Sequence, residues 1–183
     1  MKNLVKTTIT VFCIWTFFVD TCGFSWDIHN VSEYDVKAAF VYNFLKFIKL
    51  KNGKEQKDYI NLCVCCPEYV QDSFQKLDGK KIGSKIIKVE FIKKNIQNKV
   101  YSCDVLFLHR NFVKSNKKLD FIRNKNIDLL TISDSKDFVQ YGGIIELFTQ
   151  NNKIRFKINL ISAKKAKIKI NARLLQLARE VIR

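Results

Sequence analysis

Hydrophobic and polar residues follow two different periods along this chain, and the two periods predict its helices and strands. From residue 32 to residue 50, apolar side chains recur at spacings of three and four, which predicts a helix. Ser32, followed three residues later by Asp35, resembles a capping box, and Asn52-Gly53 is expected to stop the helix. Because this helix is so apolar, we expect it to be sandwiched between layers or shared with a partner subunit.

The apolar surface of this first helix is wider than a single packing contact requires. One face is expected to comprise Val36, Ala39, Phe40, Phe44, Phe47 and Ile48. Four further residues widen that face and are the candidates for a homodimer interface, namely Tyr34, Val41, Tyr42 and Leu45. The remaining narrow polar stripe consists of Lys37, Asn43, Lys46 and Lys49.

Short runs rich in strand-forming residues follow the first helix. They are predicted at residues 59–66, 85–93, 103–109 and 127–133. Helical segments lie between them, one opened by Pro67 and a weaker one at residues 117–124. This alternation predicts a three-layer α/β/α sandwich built on a mainly parallel sheet.

After Gly142-Gly143 the pattern changes to the strict alternation of a β-hairpin. Its strands are predicted at residues 144–150 and 153–159, with Asn151-Asn152 at the turn. The hairpin should extend the sheet at its edge with antiparallel strands, where its basic side chains would discourage pairing with another chain. Two helices are predicted after it, near residues 162–167 and 172–182, the second capped by Asn171.

The first 23 residues have the pattern of a secretory signal peptide. Lys2 and Lys6 precede a short apolar run, and Thr21-Cys22-Gly23 supplies small residues around a cleavage site. We expect cleavage to leave a single domain from residue 24 to residue 183 in an oxidising compartment. The alternative is a lipoprotein signal ending at Cys22, but Asp20 suits such a signal poorly.

The charge balance is strongly basic, with 33 Lys and Arg residues against 17 Asp and Glu residues. Such a charge raises nucleic acid as a partner. However, the lysines are dispersed and no nucleic-acid-binding motif is present, so we predict a basic solvated surface and no nucleic-acid partner. The local excess of basic residues between 153 and 183 could face an anionic ligand, an acidic partner or lipid headgroups.

No catalytic motif and no workable set of zinc ligands occurs in the sequence, so we predict no enzymatic activity, no metal and no cofactor.

His109-Arg110 and Ser133-Asp134 follow the third and fourth predicted strands. Ligands of such sheets bind beyond the carboxyl ends of the strands, which makes these four residues the candidate pocket for a small anionic ligand. Alternatively, Asp134 or Ser135 caps the segment that follows, and His109 is an exposed strand end.

Four of the six cysteines follow the signal peptide: Cys63, Cys65, Cys66 and Cys103. In an exported protein, cysteines favour a disulfide over a metal site. Cys63 and Cys103 would be neighbours if the first and third strands pair. Cys65 and Cys66 would then be buried thiols, or one of them would pair with another molecule.

Several segments, taken together, resemble the YfiR family of periplasmic regulators. They are residues 33–47 (EYDVKAAFVYNFLKF), 63–64, 103–107, 131–134, 142–145, 155–159, 163–166 and 174–178. The resemblance implies a non-enzymatic, usually dimeric α/β domain of the periplasm. Such a domain holds a membrane-bound diguanylate cyclase inactive by binding its periplasmic sensor region, which lowers cyclic di-GMP and biofilm formation. It also implies a disulfide between the positions of Cys63 and Cys103. A second bridge of the best-known member has no counterpart, because no cysteine follows Cys103.

Two segments are the candidates for the partner-binding surface. The first is Gly142-Gly143-Ile144-Ile145, for which a backbone bend at the start of a strand is the alternative. The second is the basic group Lys164, Lys165 and Lys167. A second function class stays open, in which the protein is a small-molecule-binding sensory module that serves another membrane receptor.

Overall fold

The computed structural model describes residues 32–50, 57–93, 96–115, 122 and 128–183. The expected signal peptide, the helix stop at Asn52-Gly53 and most of the helix expected at 117–124 lie outside these residues. Among the described residues, no helix is both long enough and apolar enough to cross a membrane.

The helices of the described chain are short apart from the first. They are α1 (Glu33–Phe47), α2 (Glu68–Gln75), α3 (Ile96–Lys99), α4 (Arg110–Ser115), α5 (Leu160–Lys165) and α6 (Ala172–Leu177), with a 3₁₀ turn at Val100–Ser102. The strands are β1 (Ile48–Lys49), β2 (Tyr59–Cys65), β3 (Lys81–Ile82), β4 (Lys85–Phe91), β5 (Val105–Leu108), β6 (Leu130–Ser133), β7 (Ile145–Gln150), β8 (Lys153–Asn159), β9 (Lys169–Ile170) and β10 (Glu180–Ile182).

Eight of these strands form one sheet in the order β10-β8-β7-β6-β5-β2-β4-β3, and β1 pairs with β9 separately. The central strands β4, β2, β5, β6 and β7 pair in parallel with one another, whereas β3 is antiparallel to β4, and β7 and β8 form an antiparallel hairpin. Two apolar clusters of buried side chains accompany the sheet, the larger one including α1 and α2. The predicted α/β/α sandwich with its antiparallel hairpin is therefore confirmed.

The C-terminal segment differs from the prediction, because the last helix ends at Leu177 and the chain continues as strand β10. The Arg179 N–H donates a hydrogen bond to the Phe156 carbonyl at 2.8 Å, and β10 then runs parallel to β8. The prediction that the hairpin forms the sheet edge was thus wrong. A strand is favoured here because β8 offers peptide groups that a helix could not pair with.

The capping box predicted for α1 is present. The Ser32 hydroxyl accepts from the Asp35 N–H at 3.1 Å, and the Ser32 N–H donates to the Asp35 carboxylate at 3.3 Å. The buried face of the helix, however, is rotated from the predicted one, since Ala39 is exposed. The buried residues are Lys37, Ala38, Val41, Phe44 and Leu45.

Two of the four residues expected at a dimer interface are unavailable for it. Val41 is 0% exposed and Leu45 is 4% exposed, both within the core of a single protomer. Tyr42 is half-buried and donates its hydroxyl to the Lys81 carbonyl at 3.1 Å. The expectation was wrong for Val41 and Leu45 because the sheet covers the face on which they lie. Dimerisation itself stays a prediction.

The Gly142–Ile145 segment is a buried turn at the start of β7. Ile144 and Ile145 are 2% and 0% exposed, so the segment does not offer the apolar surface expected of a partner-binding site. Gly142 has a φ of 96°, which L side chains rarely adopt. A Cβ on Gly143 would clash with the ring of Phe138. Gly142 is therefore required by the backbone bend, which was the alternative interpretation, and Gly143 by the close approach of the Phe138 ring.

Cys63 and Cys103 are joined in a disulfide, as the resemblance implied. Strands β2 and β5 are adjacent, with Cys63 opposite Leu106, so the first and third predicted strands do pair. Cys65 is a buried free thiol and Cys66 a half-buried one.

Candidate functional site

The four predicted pocket residues come together at the carboxyl ends of β5 and β6. His109 and Arg110 directly follow β5, and Ser133 and Asp134 lie at the end of β6. The first turn of α1 packs over this edge and contributes three side chains that the sequence analysis did not assign to it: Glu33, Tyr34 and Lys37.

Asp134 is the centre of the cluster, and its side chain is fully buried. Its Oδ2 accepts hydrogen bonds from Lys37 Nζ at 2.7 Å, Arg110 Nε at 2.8 Å and the Tyr34 hydroxyl at 3.1 Å. Its Oδ1 accepts from the backbone N–H of Arg110 at 2.7 Å. Asp134 therefore caps α4 rather than the segment that follows it, which corrects the alternative interpretation of this residue.

Lys37 is fully buried, although it belongs to the polar stripe of α1. Its Nζ lies 2.6 Å from Glu33 Oε1 and 2.7 Å from Asp134 Oδ2. It also lies 4.5 Å from the centre of the Tyr34 ring, a cation–π contact. A buried ammonium group is tolerated only when it is paired in this way.

Glu33 connects the buried centre to the surface. Besides Lys37, its Oε1 accepts from Arg110 Nη2 at 3.0 Å and from the Thr149 hydroxyl at 3.0 Å. The Glu33 and Arg110 side chains are 42% and 40% exposed, so these two charges form the solvent-facing side of the cluster. Through them, α1 is tied to both α4 and β7.

His109 is 1% exposed, so the expectation of an exposed strand end was wrong. The Asn111 N–H donates to Nδ1 at 3.1 Å, which places the proton of the neutral ring on Nε2. Nε2 lies 2.6 Å from the Tyr34 hydroxyl, which in turn donates to Asp134. A chain of hydrogen bonds therefore runs from the end of β5 through α1 to the end of β6.

Ser133 has a separate, structural role between the two strands. Its hydroxyl donates to the Leu108 carbonyl at 2.7 Å and accepts from the Ser135 N–H at 3.0 Å. Because both bonds are buried, this hydroxyl is not available to a ligand.

The pKa shifts follow from burial and from this pairing. Burial alone would raise the pKa of Asp134, but hydrogen bonds and charges from Lys37 and Arg110 outweigh it and lower the pKa. The hydrogen bond from Lys37 lowers the pKa of Glu33. Burial lowers the pKa of His109, and burial together with Asp134 raises the pKa of Tyr34. At neutral pH the cluster thus combines paired ionised carboxylates with a neutral histidine and a neutral tyrosine.

This arrangement holds α1 on the sheet and engages the polar groups of the cluster with one another. In the described part of the chain, no buried side-chain nitrogen or oxygen lacks a hydrogen-bond partner. The same residues contain no group of three or more His, Cys, Asp or Glu side chains placed to hold a metal ion. Burial raises the pKa of the Cys65 and Cys66 thiols to about 12 each, which keeps them protonated and weakly nucleophilic.

The sequence contained one signal for the missed part of the cluster. Glu33 and Lys37 are four residues apart, which places an acid and a base next to each other on one helix face. Such pairs are usually solvated, and a sequence pattern cannot tell that a third charge from β6 will bury the lysine.

Comparisons with solved structures support the fold. A conserved domain protein from Vibrio cholerae O1 biovar El Tor aligns with 82% of this chain and 60% of its own length, at 13% identity and a TM-score of 0.55. This chain thus spans about three-fifths of that structure. An ABC domain in complex with L-Trp from Streptococcus pneumonia aligns with 67% of this chain and 55% of its own length, at 11% identity. Its TM-score of 0.46 is too low to carry an argument.

No curated protein matches the chain significantly. A family model described as YfiR/HmsC-like (DUF4154) matches residues 34–179, a range that includes the disulfide, the hairpin, and all of α1 and of the charged cluster except Glu33. The chain therefore belongs to the YfiR/HmsC-like family.

Proposed function

We propose that this protein is a non-catalytic periplasmic regulator that represses a membrane-bound diguanylate cyclase by binding its periplasmic sensor region. The family match over residues 34–179 is the observation that carries this proposal. Repression lowers cyclic di-GMP and thereby biofilm formation. A cleaved signal peptide at residues 1–23 takes the chain to the periplasm, and the mature protein acts as a homodimer.

The charged cluster supports a non-catalytic role. A general acid or base requires a group whose pKa lies near the working pH. In the cluster, the pKa of each carboxylate is lowered and the pKa of Tyr34 is raised, so these groups are far from that condition. A small anionic ligand at this site would have to displace internal bonds of Asp134 and His109, which disfavours the sensory-module alternative there.

The basic group Lys164, Lys165 and Lys167 is the proposed contact surface for the cyclase. All three residues are exposed, whereas the neighbouring Ala163 and Ala166 are buried. The end of α5 and the turn that follows it therefore expose the lysines to solvent, while the two alanines pack against the core. Attraction to an acidic sensor face would mainly accelerate encounter and make binding salt-dependent.

The test is a comparison of cellular cyclic di-GMP in four strains: wild type, gene deletion, and two charge-reversal triples. Lys164→Glu, Lys165→Glu and Lys167→Glu together should raise cyclic di-GMP and biofilm to the level of the deletion. The matched control reverses Lys80, Lys88 and Lys93, three exposed lysines in or next to strands β3 and β4, and should stay at the wild-type level.

The outcomes separate the parts of the proposal. A deletion that leaves cyclic di-GMP unchanged contradicts the function itself. A deletion that raises cyclic di-GMP, together with a folded and exported Lys164/Lys165/Lys167 variant that does not, contradicts only the contact surface.

A further inference from the structure

A groove lies between the turn of the β7–β8 hairpin and the segment that links α6 to β10. Its volume is about 400 Å³, and it is lined by Gln150, Asn151, Arg155, Leu177, Ala178 and Arg179. None of these residues belongs to the charged cluster at Asp134 or to the Lys164–Lys167 surface.

The two arginines of the groove lack anionic partners. Among the residues that the structure describes, neither Arg155 nor Arg179 makes a side-chain hydrogen bond or ion pair. The carboxylates of the adjacent strands, Glu146 and Glu180, both pair with Lys157 instead, at 3.7 and 3.4 Å. The groove therefore presents two exposed guanidinium groups and contains no acidic residue.

The remaining lining residues add an apolar contact and amide groups. Leu177 is 68% exposed beside the arginines, and the Gln150 and Asn151 side chains supply hydrogen-bond donors and acceptors. A guanidinium group presents its N–H groups as a planar fork that matches a carboxylate in a bidentate pair. The chemistry that fits the groove is a carboxylate next to an apolar side chain.

We propose that this groove binds an acidic segment of a protein partner, with Arg155 and Arg179 pairing with its carboxylates and Leu177 contacting a neighbouring apolar side chain. That the partner is the cyclase's periplasmic region rests on the proposed function. Charge complementarity selects an acidic partner over a second copy of this chain, whose net charge of +16 would bring further cations to the groove. Arginine is also the basic residue that protein interfaces favour, whereas lysine is depleted there.

The direct test uses a blocked peptide, acetyl-Ala-Glu-Leu-Glu-Ala-amide, and its glutamine analogue as probes. Titration of the mature protein, followed by amide NMR shifts, should show saturable binding of the glutamate peptide that shifts Asn151, Arg155 and Arg179. The glutamine analogue should bind at least about tenfold more weakly, because it cannot form charge-assisted pairs. Raising the salt concentration should weaken the glutamate peptide's binding.

A double variant, Arg155→Gln with Arg179→Gln, should lose about tenfold or more in affinity for the glutamate peptide. The matched control is Lys169→Gln with Arg173→Gln, which removes the same charge from exposed positions outside the groove and should keep wild-type affinity. Equal weakening by both pairs, or no saturable binding at millimolar peptide, would overturn the proposal of a specific carboxylate site.

The second part of the test measures cyclic di-GMP in cells. If the groove contacts the cyclase, the Arg155/Arg179 variant should raise cyclic di-GMP as the deletion does, while the Lys169/Arg173 control should not. If the deletion raises cyclic di-GMP and the groove variant does not, the assignment of the cyclase as partner is overturned. If the deletion has no effect, the proposed function fails, and peptide binding alone decides whether the groove is a carboxylate site.

Discussion

At the scale of single residues, the unusual feature of this protein is a fully buried lysine between two carboxylates. Removing an ammonium group from water costs several kcal/mol, and its partners must compensate by charge and hydrogen bonds. Glu33 and Asp134 both do so within 2.7 Å of Lys37 Nζ. Loss of the lysine would leave the buried carboxylate of Asp134 with one fewer counter-charge.

Replacing Lys37 by methionine should therefore lower the free energy of unfolding by about 3–5 kcal/mol, although it keeps the apolar stem of the side chain. The control is Lys76→Met, which removes an ion pair of 2.7 Å between Lys76 and Asp35. Because the Lys76 side chain is 64% exposed, this variant should lower the free energy of unfolding by less than about 1 kcal/mol. Urea unfolding with the disulfide intact measures both. Equal costs for the two variants would contradict the buried-pair argument.

His109 should make the stability of the protein depend on pH. Burial lowers the pKa of this histidine in the folded state below its unfolded value of about 6.5. The unfolded state then binds more protons in that window, so stability falls as the pH falls below about 6.5 towards the folded pKa. His109→Gln should reduce the slope of unfolding free energy against pH in this window, measured between pH 5 and 8. An unchanged slope would contradict the assignment of this pH dependence to His109.

The carboxylates of Asp134 and Glu33 also make the stability of the protein fall as the pH falls, but at lower pH than His109 does. The pKa values of Asp134 and Glu33 are lowered in the folded state, so their contribution is complete above the unfolded values of about 4. It is lost as the pH falls through the folded values. A second decline of stability below about pH 4 should therefore remain in His109→Gln.

At the scale of elements, α1 is apolar on more sides than one, and packing decided which side is buried. The centre of the Phe156 ring in β8 lies 4.9 Å from the ring centre of Phe44 and 6.1 Å from the ring centre of Phe40. The charged cluster fixes the first turn of the helix over β5 and β6. These two contacts, one with β8 and the other with the ends of β5 and β6, set the rotation of the helix and bury Val41 and Leu45.

A charge at Val41 should consequently unfold the protomer rather than divide a dimer. Val41→Asp places a carboxylate in the core and should lower the free energy of unfolding by more than about 4 kcal/mol. Asn43→Asp, on the exposed face of the same helix, should change it by less than about 0.5 kcal/mol. Circular dichroism with sedimentation distinguishes the cases, and a folded, monomeric Val41→Asp would contradict the burial of this face.

At the scale of the whole molecule, the disulfide joins Cys63 in β2 to Cys103, which precedes β5 and lies 40 residues further along the chain. Both sulfur atoms lie in the smaller apolar cluster, together with the free thiol Cys65. Closing a loop of this length in the unfolded chain should stabilise the fold by about 4 kcal/mol in the chain-entropy estimate.

Replacing Cys63 and Cys103 together by alanine should remove about that stability, apart from any change in packing. The control is Cys65→Ala, which deletes a sulfur atom from the same cluster without opening the loop. Non-reduced peptide mapping of exported protein should recover Cys63 linked to Cys103, with Cys65 and Cys66 alkylated only after unfolding. Recovery of alkylated Cys63 and Cys103 from native protein would rule the bridge out.

The sequence alone determined the features whose causes are local. Alternation of strands and helices is set by side-chain periodicity, so the α/β class and the hairpin were predictable. Caps and turns are set by residues within four positions of each other. Ser32 and Asn171 therefore cap their helices as expected, and Asn151 and Asn152 adopt φ values of 50° and 56°.

Tertiary structure alone decided the features that depend on residues far apart in the chain. The end of the chain became β10 because β8 had an open edge to pair with. Lys37 became buried because Asp134, 97 residues away, supplied a second carboxylate. Whether a charged or apolar side chain is buried depends on the partner that the fold brings to it, since both desolvation and compensation are properties of the folded environment. A sequence pattern specifies the side chain but not the folded environment that determines whether it is buried.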